Sequence, residues 1–185
     1  MTRSTRLIIA GCLFLVILFL AYSNHFRNGF YFDDSHTIVS NNYIRDIGNI
    51  PLFFKDGATS SSLPTNQAYR PVVTTLNAID YWTGGGLDPF YFHLSIFICY
   101  ITQLILMFFL FKHILNLSCA YKWNSYVALF ATAFYSLHTA NAETINYVIA
   151  RSDSFSTLCI VASLFLFQIP MSRRYYLYLP AMVLG

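Results

Sequence analysis

Runs of mostly apolar residues constrain this chain more than any other feature. The first occupies residues 7–22, behind Arg3 and Arg6; others follow at 90–111, 125–137 and 155–169, and 175–185 is apolar to its end. A helix rises about 1.5 Å per residue and must cover about 30 Å of hydrocarbon, so the second run is long enough by itself, and the third is expected to recruit part of the connector before it. Of the 185 residues, 56% are hydrophobic and 10% charged, against about 25% charged in a soluble domain. The expected fold class is therefore an all-α integral membrane protein, a polytopic helical bundle with about four complete spans and a partial fifth. The first run has two readings, a cleaved signal peptide or a retained helix. Its length and the poor cleavage site Tyr22-Ser23-Asn24-His25-Phe26 favour retention.

Between the first two runs lies a long polar and aromatic loop, residues 23–87, with no stretch able to span. Ile44, Ile47 and Ile50 recur at threefold spacing before Pro51, and Val72, Val73, Leu76 and Ile79 recur at helical spacing behind Arg70-Pro71. Both segments, 44–54 and 72–82, are expected to be short helices on the membrane surface. Gly84-Gly85-Gly86 ends the second, and Asp88-Pro89 reads as the cap and first residue of the next span. Cys12, Cys99 and Cys159 sit in apolar runs and Cys119 in a connector, which is no disulfide framework.

Charge placement sets an expected topology. The N-terminus, the 112–124 connector and the 171–174 turn hold Arg3, Arg6, Lys112, Lys122, Arg173 and Arg174, and no acid. The loop 23–87 and the interval 138–153, with their flanks, hold the other five basic residues and all eight acids. Excess Lys and Arg marks the cytoplasmic side. The N-terminus is then cytoplasmic, and every carboxylate faces outward.

On that outer face stand Asp33 and Asp34, adjacent in sequence and so pointing apart. A turn is one reading of the pair; a substrate carboxylate beside a structural one is the other. Arg151 near the bilayer boundary calls for a partner or a function, either an ion pair with Glu143 or Asp153 or a bidentate grip on an anionic headgroup. Arg70 is a second anion-binding candidate. His138 and Glu143 are five apart, unlike a helical metal site, so no metal is assigned. His93 lies at the outer end of the second span.

Residues 31–41, Tyr-Phe-Asp-Asp-Ser-His-Thr-Ile-Val-Ser-Asn, resemble the early outer-loop motif of membrane proteins that join a transmembrane half to tetratricopeptide repeats. That family is linked to O-mannosyl transfer and belongs to the GT-C glycosyltransferases. Tyr69-Arg70-Pro71-Val72, Gly85-Gly86-Leu87-Asp88-Pro89 and Phe92-His93-Leu94 are similar to its next blocks, and Leu137-His138 to Glu143, with Arg151 and Asp153, to a later one. Thr139, Asn141 and Ala150 depart from that pattern, at positions where the family has proline, histidine and glycine. The resemblance covers residues 30–160 and makes 1–185 the N-terminal part of a GT-C transmembrane domain, a fragment expected to be inactive alone.

What the resemblance implies is inverting transfer of a sugar, mannose first, from a polyprenyl-phosphate donor to a hydroxyl acceptor, protein Ser/Thr or a glycan. Asp33 or Asp34 would be the general base. Arg70 and Arg151 would hold the donor phosphate, and His138, Glu143, Asp153 and His93 would position the acceptor. Neither a divalent metal nor another cofactor is required, and nucleic acid is no partner. The expected location is a bacterial inner membrane or the endoplasmic reticulum. Two other classes stay open: a lipid or solute transporter, and a non-catalytic membrane anchor or assembly protein.

Overall fold

The computed structural model describes residues 2–184. Its α-helices are α1 (Arg3–Ala21), α2 (Ile50–Phe53), α3 (Pro71–Thr83), α4 (Pro89–Ser118), α5 (Asn124–Ser136), α6 (Ala140–Asn146), α7 (Arg151–Gln168), α8 (Pro170–Arg174) and α9 (Tyr178–Leu184), and no strand occurs among the described residues. Among the described residues, three helical stretches are long and apolar enough to cross a membrane: Arg3–Arg27, Pro89–Ser118 and Val148–Gln168. The protein is an all-α membrane protein, with fewer spans than its apolar runs suggest. The 125–137 run forms the 13-residue α5, about 20 Å long and short of the hydrocarbon thickness. From the preceding connector it takes only Asn124, because α4 continues to Ser118 and residues 119–123 make the turn between the two helices. The 175–185 run contains only the seven-residue α9, and its last residue, Gly185, lies outside the described residues.

The chain packs as two compact units. One comprises the residues up to Asn24, Tyr100–Ala142 and those from Ser156 onward; the other comprises His25–Cys99 and Glu143–Phe155. In the first, the helix unit, Met107, Leu110 and Val161 form a buried cluster with Leu106, Phe111 and Tyr135 against it. Helices α1 and α5 run in the same direction. The Tyr126 hydroxyl donates to the Arg3 carbonyl (3.3 Å), and the Tyr22 hydroxyl to the Ser136 carbonyl (3.2 Å). The Tyr100 hydroxyl donates to that same carbonyl (2.9 Å). The last carbonyls of a helix have no partner within it, so two phenols supply what the end of α5 lacks. The Asn124 side-chain amide donates to Asn116 Oδ1 and the Cys119 carbonyl, closing the turn from α4 to α5. Ile8, Leu13, Val16 and Leu20 of α1 are exposed, as suits a lipid-facing surface.

The second, the loop unit, is built from short helices and single turns over Ile38, Ile44, Phe53, Ala78, Phe92, Ile96, Ile145 and Val148, all buried. The 44–54 stretch is not one surface helix. Asp46 accepts from the Gly48 N–H and starts a new turn, and a continuous helix never forms before the four-residue α2. Helix α3 does form, with Pro71 in its first turn. Its buried residues, however, are Thr74, Asn77, Ala78 and Asp80, while Val72, Val73 and Leu76 are half-buried and Ile79 and Trp82 exposed. The polar face of α3 turns inward because a buried arginine meets it there.

Candidate functional site

The loop unit gathers the acids, and a turn at Tyr31–Asp34 decides what each of the adjacent pair does. The Asp34 N–H donates to the Tyr31 carbonyl (2.9 Å), and Asp34 Oδ2 accepts from the Tyr31 N–H (3.0 Å). Phe32 sits at φ 45 and is 85% exposed, a left-handed conformation costing about 1–2 kcal/mol for an L side chain. Asp34 Oδ1 accepts from the N–H of Ile149, 115 positions along the chain (2.9 Å). Asp34 is wholly buried, with a backbone N–H on each oxygen. Burial pushes its carboxyl above the ordinary value, and the two N–H donors pull it partly back. Asp34 therefore staples the turn to the segment ahead of α7.

Asp33 is the exposed partner, with 58% of its side chain accessible. Its N–H donates to the Tyr147 hydroxyl oxygen (2.9 Å), and Phe32 meets the Tyr147 ring edge-on. Burial also moves the Tyr147 phenol upward. A π-helical turn, Ser35–Val39, follows and brings His36 Nε2 to 3.5 Å from Asp33 Oδ1. His36 Nδ1 lies 2.9 Å from Ser61 Oγ and Nε2 lies 3.1 Å from the Asn66 amide.

His36 lines a cavity of about 340 Å³ together with Asn66, Gln67, Arg70, Asn77 and Ile149. Arg70 is the cation in its wall; it is exposed, with one guanidinium nitrogen 3.4 Å from Ser152 Oγ. Binding sites for small ligands occupy about 300–1,000 Å³, so this one suits a single small polar group. Among the described residues, no three His, Cys, Asp or Glu side chains gather as a metal-binding group.

Behind the cavity wall lies Arg151, 2% exposed. Its partner is Asp80 of α3, rather than Glu143 or Asp153. The guanidinium also donates to Asn77 Oδ1 (2.7 Å), the Phe92 carbonyl (2.8 Å) and Ser95 Oγ (2.8 Å), and it lies over the Phe92 ring. Ser95 in turn donates to Asp80 Oδ2 (2.8 Å). Burial raises the Asp80 carboxyl, and Arg151 and the Ser95 hydroxyl oppose that rise. Arg151 reaches the cavity only through Asn77, whose side chain it holds.

The remaining expected residues fall elsewhere. Glu143 and Asp153 are both exposed in this unit, on α6 and α7. His93 is buried edge-on to His25 (ring centroids 4.6 Å), with Nε2 3.4 Å from the Gly29 carbonyl. His138 belongs to the helix unit, where it is exposed and its Nδ1 accepts from the Ala140 N–H (3.2 Å). The residues missed from sequence are His36, Asn77, Asp80 and Tyr147. His36 lies inside the motif carrying the aspartates, and Asn77 and Asp80 share an i,i+3 face. That polar stripe on an otherwise apolar helix was a legible signal.

Comparison with known proteins yields two similar sequences. The chain is 27% identical over 153 residues to mouse protein O-mannosyl-transferase TMTC4, a match covering 78% of this chain and 21% of the mouse protein. It is 27% identical over 156 residues to Drosophila melanogaster protein O-mannosyl-transferase Tmtc2, covering 80% of this chain and 16% of the fly protein. The chain thus spans about a fifth or less of the length of these relatives, to which it is distantly related. No family model matches it, and no solved structure does.

Proposed function

We propose that the loop unit is the donor-side site of a GT-C membrane glycosyltransferase. It would move a sugar, mannose first, from a polyprenyl phosphate to a hydroxyl of a protein or glycan. The observation that carries this reading is the division of labour at the aspartate pair: Asp34 is buried as a staple, while Asp33 stays exposed beside His36, which lines a cavity that also holds Arg70. The names of the two distant relatives support the sugar and the acceptor class. The segregation of all eight acids from the six basic residues at the N-terminus, the 112–124 connector and the 171–174 turn supports an outward-facing site and a cytoplasmic N-terminus.

In this mechanism the Asp33 carboxylate takes the proton of the acceptor hydroxyl. The oxygen attacks the anomeric carbon from the face opposite the phosphate, and the carbon–oxygen bond to the phosphate breaks with inversion. Its electron pair leaves on the lipid phosphate, where Arg70 offsets the added charge. A positioned base contributes about 10²–10⁴-fold. Arg151 is a positioning residue, holding Asn77 in the cavity wall, and Asp80 keeps that guanidinium paired. Glu143, Asp153 and His93 are proposed to shape the acceptor side.

The test is transfer of radiolabelled mannose from polyprenyl phosphate in membranes containing the protein. Asp33→Asn should lower turnover by about 10²–10⁴-fold, and Arg70→Gln should weaken donor binding chiefly through KM. Full activity in Asp33→Asn removes the base assignment. Substrate movement across vesicles without any sugar transfer favours the transporter class instead.

A further inference from the structure

The helix unit contains no carboxylate at all, and three of its six cations converge on one cavity. Arg3 and Arg6 of α1 and Lys122 line a space of about 370 Å³ together with Trp123 and Tyr126. Trp123 and Tyr126 pack with ring centroids 5.4 Å apart, and the Tyr126 hydroxyl donates to the Arg3 carbonyl. No acid belongs to the same unit as these cations, since all eight lie in the loop unit. Aromatic residues of this kind seat at the headgroup level of a bilayer.

A second cavity, about 360 Å³ and almost wholly apolar, lies between α1, α4 and α5, with Leu7, Gly11, Leu104, Phe108 and Leu129 in its walls. The hydroxyl of Thr132 in its wall is spent on the Ala128 carbonyl (2.9 Å). The two cavities are successive on the same helices. Arg3, Leu7 and Gly11 follow at i,i+4, and Tyr126 and Leu129 at i,i+3, spacings that stack side chains on one helix face. From Arg3 to Leu15, the last α1 residue of the groove, α1 rises roughly 18 Å, about the depth of one leaflet of a 30 Å hydrocarbon core.

We propose that this unit binds one anionic phospholipid, with its phosphate at Arg3, Arg6 and Lys122 and an acyl chain along Leu7, Gly11 and Leu129. Basic residues at a span end also serve orientation alone, but orientation needs no apolar groove opening one turn deeper. A free phosphate would use the cations and ignore the groove. A zwitterionic lipid would use the groove and gain little from three cations. Basic pockets between membrane helices are a known type of anionic headgroup site.

Native mass spectrometry of the protein in detergent, with phosphatidylglycerol and phosphatidylcholine of matched chains, tests both halves. One phosphatidylglycerol should be retained while phosphatidylcholine is stripped. The combined Arg3→Gln, Arg6→Gln and Lys122→Gln variant should lose affinity by on the order of a hundredfold. Gly11→Leu fills the groove without touching a charge, and a Cβ there meets nothing within 4 Å, so the helix tolerates it. It should lower retention at least about tenfold, while the circular dichroism spectrum is unchanged. Equal retention of the two lipids, or wild-type retention in either variant, overturns the proposal. Displacement of phosphatidylglycerol by millimolar inorganic phosphate identifies a free-anion site and overturns it as well.

Discussion

The helix unit and the loop unit solve the problem of polar groups near a bilayer in opposite ways. The helix unit carries six lysines and arginines and no acid, whereas the loop unit carries the other five of the 11 basic residues and all eight acids. Inside the helix unit, buried polar groups are neutral and pair with one another: Tyr22 and Tyr100 with the Ser136 carbonyl, and Gln103 with the Tyr135 hydroxyl. Inside the loop unit a full ion pair, Arg151 with Asp80, is buried and surrounded by further hydrogen bonds. A neutral pair that is lost leaves a modest desolvation cost, but an orphaned buried charge leaves a large one. The loop unit therefore concentrates the sensitivity to mutation.

The largest expected effects break that contrast at its strongest point. Arg151→Met or Asp80→Leu alone should each cost about 3–5 kcal/mol of stability, while the two together should recover most of the loss. Chemical denaturation in detergent measures all three, and equal additive losses would show that the charges are not coupled. Next comes Asp33→Asn, expected to lower transfer by about 10²–10⁴-fold with an unchanged unfolding midpoint, because the side chain is exposed. A fall in stability to match would recast Asp33 as structural.

A smaller effect concerns pH. The Asp34 carboxyl is raised above its ordinary 3.8 in the folded protein, chiefly by burial. Its contribution to stability is then fully present below the unfolded value and is lost as pH rises through the raised folded one. Relative to Asp34→Asn, the wild type should lose stability as pH climbs out of the carboxylate range. A difference that instead grows with pH would reverse the sign. The smallest expected change belongs to the helix unit: Tyr100→Phe should cost only about 1 kcal/mol, since the Ser136 carbonyl keeps Tyr22 as a donor. A loss equal to that of Arg151→Met would erase the distinction between the units.

Much of the fold was legible because hydrophobic length and charge sign are local properties. The 90–111 run marked α4, Arg70-Pro71 marked the start of α3, and the apolar run behind Arg6 marked α1. The errors fell where neighbours compete. The 112–124 connector was divided between α4 and a turn at 119–123, which left α5 short of a span, and Asp46 and Pro51 divided the expected helix over 44–54.

The sequence by itself determined that the chain is helical and membrane-embedded, and that its acids are set apart from the basic residues at the N-terminus, the 112–124 connector and the 171–174 turn. It also brought Asp33, Asp34, Arg70 and Arg151 forward as residues to examine. Only the tertiary structure decided their burial and their partners. Asp33 and Asp34 are chemically identical neighbours, and what separates them is the Ile149 N–H, which reaches one carboxylate from 115 positions away. Arg151 is two residues from Asp153 and eight from Glu143, yet it pairs with Asp80, 71 positions upstream. Long-range packing chooses which charge loses its water, and a charge without water must take whichever partner the fold presents.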